Sequence, residues 1–334
     1  MVVSARRTPI GTAGHAYKSL TAEHLAAPVI AAVAGDLKGR PVDDVMLGNC
    51  MGPGGNIARV SALAAGLGHE VPGVTVDRQC GSGLAAILLA GQAVRAGEAD
   101  LVIAGGVESA STAPLRTFRG AGTPYERAPF TPEGSPDPDM GPAAEVLAAA
   151  KGVDRERQDA YACRSHARAL AARAAGRFAE EIVPVAGRTD DQRPRPLRAA
   201  SLARLPAAFV PGGTVTAGNS SPNSDGAAAV ALVPEGLRDG LPGLRLLAGA
   251  VAGCDPKLPG WGGRCRRSAG CWRVPGWRWS RSRWWRSWRR SRRRCWPSPT
   301  RSGSTRWAPT TSGCVPAAVR WRSGIRGARP ARWW

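Results

Sequence analysis

The chain has 334 residues, long enough for a large core and two domains, with 46 Lys+Arg against 25 Asp+Glu and a formal charge of +21. That average conceals a seam: residues 1–260 hold 26 Lys+Arg and 25 Asp+Glu, whereas residues 261–334 hold 20 Arg and no Lys, Asp or Glu. The even balance before the seam excludes a chain built throughout for polyanions, and no run approaches the roughly 18 apolar residues of a membrane helix.

In chain order, Met1-Val2-Val3 reads as the end of a first strand, so further residues are expected before it, and no charged-then-apolar signal segment is present. Thr21 is placed to cap a helix running to Val33, with Glu23 in its first turn. Val45 to Leu47 reads as a short strand, Ile57 to Leu67 as a helix and Gly73 to Val76 as a strand. Gly81 to Arg95 then reads as a helix and Leu101 to Ala104 as a buried strand. Strands alternating with helices predict an α/β fold with a parallel sheet covered on both faces. Ala113 to Pro142 is rich in Pro, Gly and charge, which predicts loops. Asp154 is placed to cap a long helix, Arg155 to Ala175, closed by Gly176. Arg188 to Pro206 reads as an exposed excursion, Ala227 to Val233 as a core strand and Leu244 to Val251 as another.

Cys80 stands where the Gly73–Val76 strand gives way to the following helix. A thiol at a helix start meets the positive end of the helix dipole, which favours the thiolate. Gly81, Ser82 and Gly83 are small enough to admit a bulky thioester, so Cys80 reads as a nucleophile rather than a buried structural cysteine. Cys50, Cys163 and Cys254 read as structural, and Cys265, Cys271, Cys295 and Cys314 lack the His pairing of a metal site. No metal or resident cofactor is expected. Gly52 to Gly55 lacks the Lys-Ser/Thr of a phosphate loop.

Five motifs carry a resemblance: Arg7-Thr8-Pro9-Ile10-Gly11, the Cys80 run, Gly105-Gly106-Val107-Glu108-Ser109, Met140-Gly141-Pro142-Ala143-Ala144-Glu145, and Gly213 to Pro222 followed by Asp225-Gly226-Ala227. In this order they resemble a thiolase, the family that makes or cleaves 3-ketoacyl-CoA, and the likeness runs from Val2 to about Gly260. Two departures are visible. Asp139 stands where many members carry His, and Asn223-Ser224-Asp225 replaces an Asn-Asp pairing. The resemblance implies a layered αβαβα fold of two similar α/β halves. It implies that Cys80 takes the acyl group, and that Met140 and Ser221 lie beside the substrate and its pantetheine. Asn219 shares that loop and is expected chiefly to hold its turn. CoA and acyl-CoA are the implied partners, as substrates rather than cofactors, in a cytoplasmic dimer or tetramer with no nucleic-acid or membrane partner. Residues 1–112 are then the N-terminal half, 113–206 an inserted loop region, 207–242 the return to that half and 243–260 the start of the second. His15, His24, His69 and His166 match no histidine motif of the family.

Residues 261–334 contain all 12 tryptophans and no Leu, Phe, Tyr, Met, His, Asn or Gln, a composition unsuited to a globular core. Arg, Trp, Gly, Ser, Pro, Ala and Cys are what GC-rich DNA yields when read out of frame. With each codon started at the third base of the present one, Trp261 to Trp279 permits an amphipathic helix pattern. Trp284 to Ser298 then permits Glu-Ala-Phe-Ala, and Pro316 to Trp334 permits Gly-His-Pro-Trp-Gly-Ala-Ser-Gly. Both resemble thiolase motifs, in the family's order. The tail is therefore expected to be frameshifted near Gly260–Trp261, with the second half disrupted and the family's catalytic His, encoded across Gly324 and Ile325, missing. The second catalytic Cys is expected beyond Trp334. The competing reading takes Arg283-Trp284-Trp285-Arg286 as a nucleic-acid-stacking surface.

Overall fold

The computed structural model describes residues 1–251 apart from 121 and 126, residues 253 and 256, and the backbone of 318–323. Cys254, the four tail cysteines and the proposed frame junction lie outside the described residues. The chain opens with β1 (Val2–Arg7) and β2 (Gly11–Thr12), then α1 (Ala22–Gly35), β3 (Asp44–Gly48), α2 (Ile57–Ala64), β4 (Gly73–Val76), α3 (Ser82–Ala96) and β5 (Val102–Ser109). It continues through α4 (Met140–Lys151), α5 (Arg155–Ala174), α6 (Ala199–Ala203), β6 (Ser224–Leu232), β7 (Leu244–Ala250) and β8 (Ala318–Ser323).

The strands form one sheet in the order β4-β3-β5-β6-β1-β7-β8, with β2 paired to β6. Only part of it is parallel. β4, β3 and β5 run together, but β6 is antiparallel to both β5 and β1. The sequence pattern could not show this, because the chain reaches β6 through a 114-residue excursion (110–223) that lets the strand return in either direction. Met1-Val2-Val3 likewise begins β1 rather than ending it.

Alternation along each strand sends side chains to two cores. On one face Val45, Leu47, Ile103, Val107 and Ala229 pack under Leu25, Val29, Ile30 and Val33 of α1 and Ile57 and Ala62 of α2. Full burial of each large aliphatic contributes about 1.5–3 kcal/mol. On the other face Val2, Val102, Ala104 and Leu232 meet Ala90 and Val94 of α3. α3 is apolar around most of its girth because it is covered twice. β7 joins the sheet beside β1 through one register pair, Val2 with Leu244, and brings Leu246 and Gly249 against the helix. A Cβ on Gly91 would lie 2.4 Å from Leu246 Cδ2, and one on Gly249 would lie 2.3 Å from Leu88 Cδ2. Among the described residues of the tail, 318–323 form β8, antiparallel to β7.

The local signals mostly hold. Asp154 accepts the Arg157 N–H at 2.8 Å as a true cap of α5. Thr21 precedes α1 as expected but makes no cap bond. Its hydroxyl lies 2.6 Å from His24 Nδ1. The 188–206 stretch is less free than its composition suggests. Asp191 binds Arg7 at 2.7 and 3.0 Å and the Ile10 N–H at 2.8 Å, and Leu202 is buried.

Candidate active site

The turn 77–81 joins the end of β4 to the start of α3. Gln79 takes a left-handed backbone, φ 50°, a conformation that costs a non-glycine residue about 1–3 kcal/mol unless its surroundings impose it. Here they do. Ser82 Oγ accepts the Arg78 N–H at 2.7 Å and donates to Gln79 O at 2.6 Å, while Asp77 Oδ1 accepts the Gln79 N–H at 2.8 Å. The reversal leaves Cys80 exposed at its apex. The helix opens at Ser82, one residue later than the sequence pattern predicts. The N–H groups of Gly81 and Ser82 are already used inside the turn, by Arg78 O and Gln79 O. Neither of these two amides is therefore free to face an acyl oxygen.

Close packing seats this turn on the sheet. A Cβ on Gly48, the last residue of β3, would lie 2.3 Å from Gly83 N and from Ser82 C. Only glycine lets the first turn of α3 rest on the strand end. The chain then leaves β3 through Asn49, whose N–H donates to Val76 O at 3.2 Å. β6 starts at the same end of the sheet, with Ser109 opposite Asp225 and Glu108 opposite Gly226. Ser221 therefore enters three residues before β6 at the edge where the Cys80 turn sits. From β4 to β6 is three strand spacings, about 14 Å.

Asn219 and Met140 belong to a second cluster, on α4, α5 and the loop between α6 and β6. Asn219 is fully engaged. Its Oδ1 accepts the Thr216 N–H at 2.8 Å, and its Nδ2 donates to Asp159 Oδ1 at 2.9 Å and to Thr214 O at 3.1 Å. It holds the turn and ties it to α5. Ser221 is exposed, and its hydroxyl makes only a long 3.4 Å contact to Pro222 O, so it stays open to a ligand. Met140 begins α4 half exposed. Beside it Gly141 lies against Phe209, whose ring a Cβ would meet at 2.2 Å. Phe209 is 48% exposed and was not legible in the sequence, where it is an isolated aromatic in a loop. Asp139 pairs with Arg127 at 3.1 Å, and Arg127 also binds Asp137 at 2.9 Å.

Glu145 fastens the two parts of this cluster. It accepts the Thr214 N–H at 2.8 Å, the Thr214 hydroxyl at 2.7 Å and the Val215 N–H at 2.7 Å. Burial alone would raise its carboxyl, but these donors outweigh it and hold it below the usual carboxylate range. The stability it contributes is therefore complete above the unfolded pKa of about 4.3 and is lost as pH falls through the lower folded value. Glu145→Ala is expected to cost about 3 kcal/mol in urea unfolding at pH 7, with a smaller difference from the parent at pH 3. An equal cost at both pH values would refute the assignment.

The chain matches the family profile described as "Thiolase, N-terminal domain" over residues 1–236. It is 42% identical over 265 residues to the putative acetyl-CoA C-acetyltransferase YhfS of Bacillus subtilis, covering 78% of this chain and 70% of that one. It is 40% identical over 287 residues to an acetyl-CoA acetyltransferase of Chromobacterium violaceum, covering 78% and 73%. The crystal structure of the Bacillus anthracis acetyl-CoA acetyltransferase superposes with a TM-score of 0.69 at 38% identity, covering 77% of this chain and 71% of that one. No helix among the described residues is long and apolar enough to cross a membrane.

Proposed function

The chain belongs to the thiolase family, and from that premise we propose that it is built to move acyl groups between CoA thioesters through an acyl-enzyme on Cys80. The observation that carries this reading is the exposed Cys80 at the apex of the strained strand-to-helix turn. The sulfur attacks the thioester carbonyl, the tetrahedral adduct collapses, and the CoA sulfur leaves with the proton that Cys80 gives up. The bond formed is again a thioester, so a second thiol can take the acyl group back at little cost in free energy. Condensation of two acyl-CoA molecules and thiolytic cleavage of a 3-ketoacyl-CoA are the two directions of this chemistry. Exposed Ser221, half-exposed Met140 and the Phe209 ring support a path for pantetheine along the cluster described above. The reading extends to a cytoplasmic dimer or tetramer, in keeping with a reduced nucleophilic thiol.

A complete cycle also needs a base. The resemblance assigns that role to a His, and His24 and His166 are engaged elsewhere, with Thr21 and with the Arg195 N–H. We read residues 261–334 as out of frame and the chain in its present frame as unable to turn over. The seam supports this: the 78% of the chain covered by the relatives equals the share that precedes Trp261, 260 of 334 residues.

The test is incubation with acetyl-CoA followed by tryptic mass mapping. We expect slow acetylation on the fragment holding Cys80 and none in Cys80→Ser under thiol-specific hydroxylamine release. A frame-restored chain that never shows acetyl on this fragment would overturn the assignment.

A further inference from the structure

Beside the Cys80 turn lies a second thiol, Cys50, in the short loop that leaves β3. Glu108, the penultimate residue of β5, gathers this loop with both oxygens of its carboxylate. Oε1 accepts the Cys50 N–H at 2.6 Å and the Cys50 thiol at 3.1 Å, and Oε2 accepts the Met51 N–H at 3.2 Å and Asn49 Nδ2 at 3.1 Å. We infer that Glu108 is a positioning residue that holds Cys50 as a hydrogen-bonded thiol, reserving acyl transfer for Cys80. The inference rests on the Cys80 reading proposed above.

The geometry calls for an ionised acceptor. Four donors converge on two oxygens, which a carboxylate can satisfy and an amide cannot, since a Gln at this position would turn an NH2 group toward Asn49 or Met51. The same arrangement acts on Cys50. Burial first, then the bond to Glu108, its charge and the charges of Asp77 and Cys80 push the Cys50 thiol up to about 12. Arg116 also faces this loop and donates to Cys50 O at 3.1 Å. Since the thiolate is the reactive form, Cys50 stays silent at pH values where an ordinary cysteine, near 8.5, already reacts. A site with two competent thiols side by side would divide the acyl group between them.

The experiment needs no acetyl-CoA. Methyl methanethiosulfonate labelling of the full chain is followed by peptide mapping between pH 7 and 11. In the parent, Cys80 is expected to be labelled while Cys50 is not until the upper end of the range. In Glu108→Gln, whose burial at Cys50 is the same, Cys50 labelling at pH 9 is expected to rise at least about tenfold, because each unit removed from its pKa is a tenfold gain in thiolate. Labelling of Cys50 together with Cys80 at pH 9 in the parent overturns the inference even if the variant fails to fold. An unchanged Cys50 pH profile in a folded Glu108→Gln protein overturns it as well. In a separate arm Cys50→Ala is expected to leave acetylation of Cys80 by acetyl-CoA unaltered, and loss of that acetylation would give Cys50 a chemical part instead. If Cys80 is never acetylated in any form, the proposed function fails while the labelling arms still decide the role of Glu108.

Discussion

On the proposed frame reading, restoring the frame near the codons for Gly260 and Trp261 is expected to yield a chain that cleaves acetoacetyl-CoA with CoA, where the present one is expected not to turn over. The gain should be at least about ten-thousand-fold. A positioned general base alone is worth about 10²–10⁴-fold, and the proposed shift would remove both the His codon and the second half of the fold. The proposed change is a single base gained or lost. Sequencing the DNA from the codon of Asp255 to that of Cys265 locates it, and loss of the acetoacetyl-CoA absorbance in the presence of CoA measures the outcome. A restored protein as inactive as the present one would sink the frame reading. So would a clean template whose translated product has the present mass and full activity. The tail carries a second expectation: with 12 tryptophans, 20 arginines and no Leu, Phe, Asp or Glu in residues 261–334, the present product should be poorly soluble.

Gly48→Val is expected to be a severely damaging substitution at the seat of the Cys80 turn. A Cβ there would stand 2.3 Å from Gly83 N and from Ser82 C, and 2.7 Å from Ser82 Cβ. The first two are backbone atoms that cannot swing aside, so α3 must lift from β3 and carry the Cys80 turn with it. The expected cost exceeds about 3 kcal/mol, read as a lowered urea midpoint or as failure to fold. Gly35→Ala is the control, because a Cβ at that position meets nothing within 4 Å. If Gly48→Val unfolds at the midpoint of Gly35→Ala, the close approach of strand and helix has been misjudged.

Much of the fold was legible one element at a time. The Gly73–Val76 strand, the Asp154 cap and the left-handed Gly176 after α5 follow from short-range chemistry: β-branched residues in an extended run, an oxygen that can reach an N–H three residues on, and a residue free to take positive φ. Other features were not, because they depend on residues far apart in the chain. β5 runs on to Ser109 through Gly105 and Gly106, poor strand formers alone, because β3 on one side and β6 on the other complete their hydrogen bonds. α2 stops at Ala64 rather than Leu67, and Gly66 then takes a positive φ of 76°. Asn219 could be suspected of holding a turn, but its bond to Asp159 on α5 spans 60 residues of sequence.

By itself the sequence determined the family, the alternation of helices with strands in the first half and the seam at residue 260, and it singled out Cys80 as the candidate nucleophile. Each rests on residue types at short spacing, or on composition. Tertiary structure alone decided the direction of β6, the double covering of α3, the Gly48 contact that seats the Cys80 turn, and the joining of Glu108 to Cys50. These arise where strand ends distant in sequence meet, and which atoms face each other there is set by register and packing rather than by any local preference.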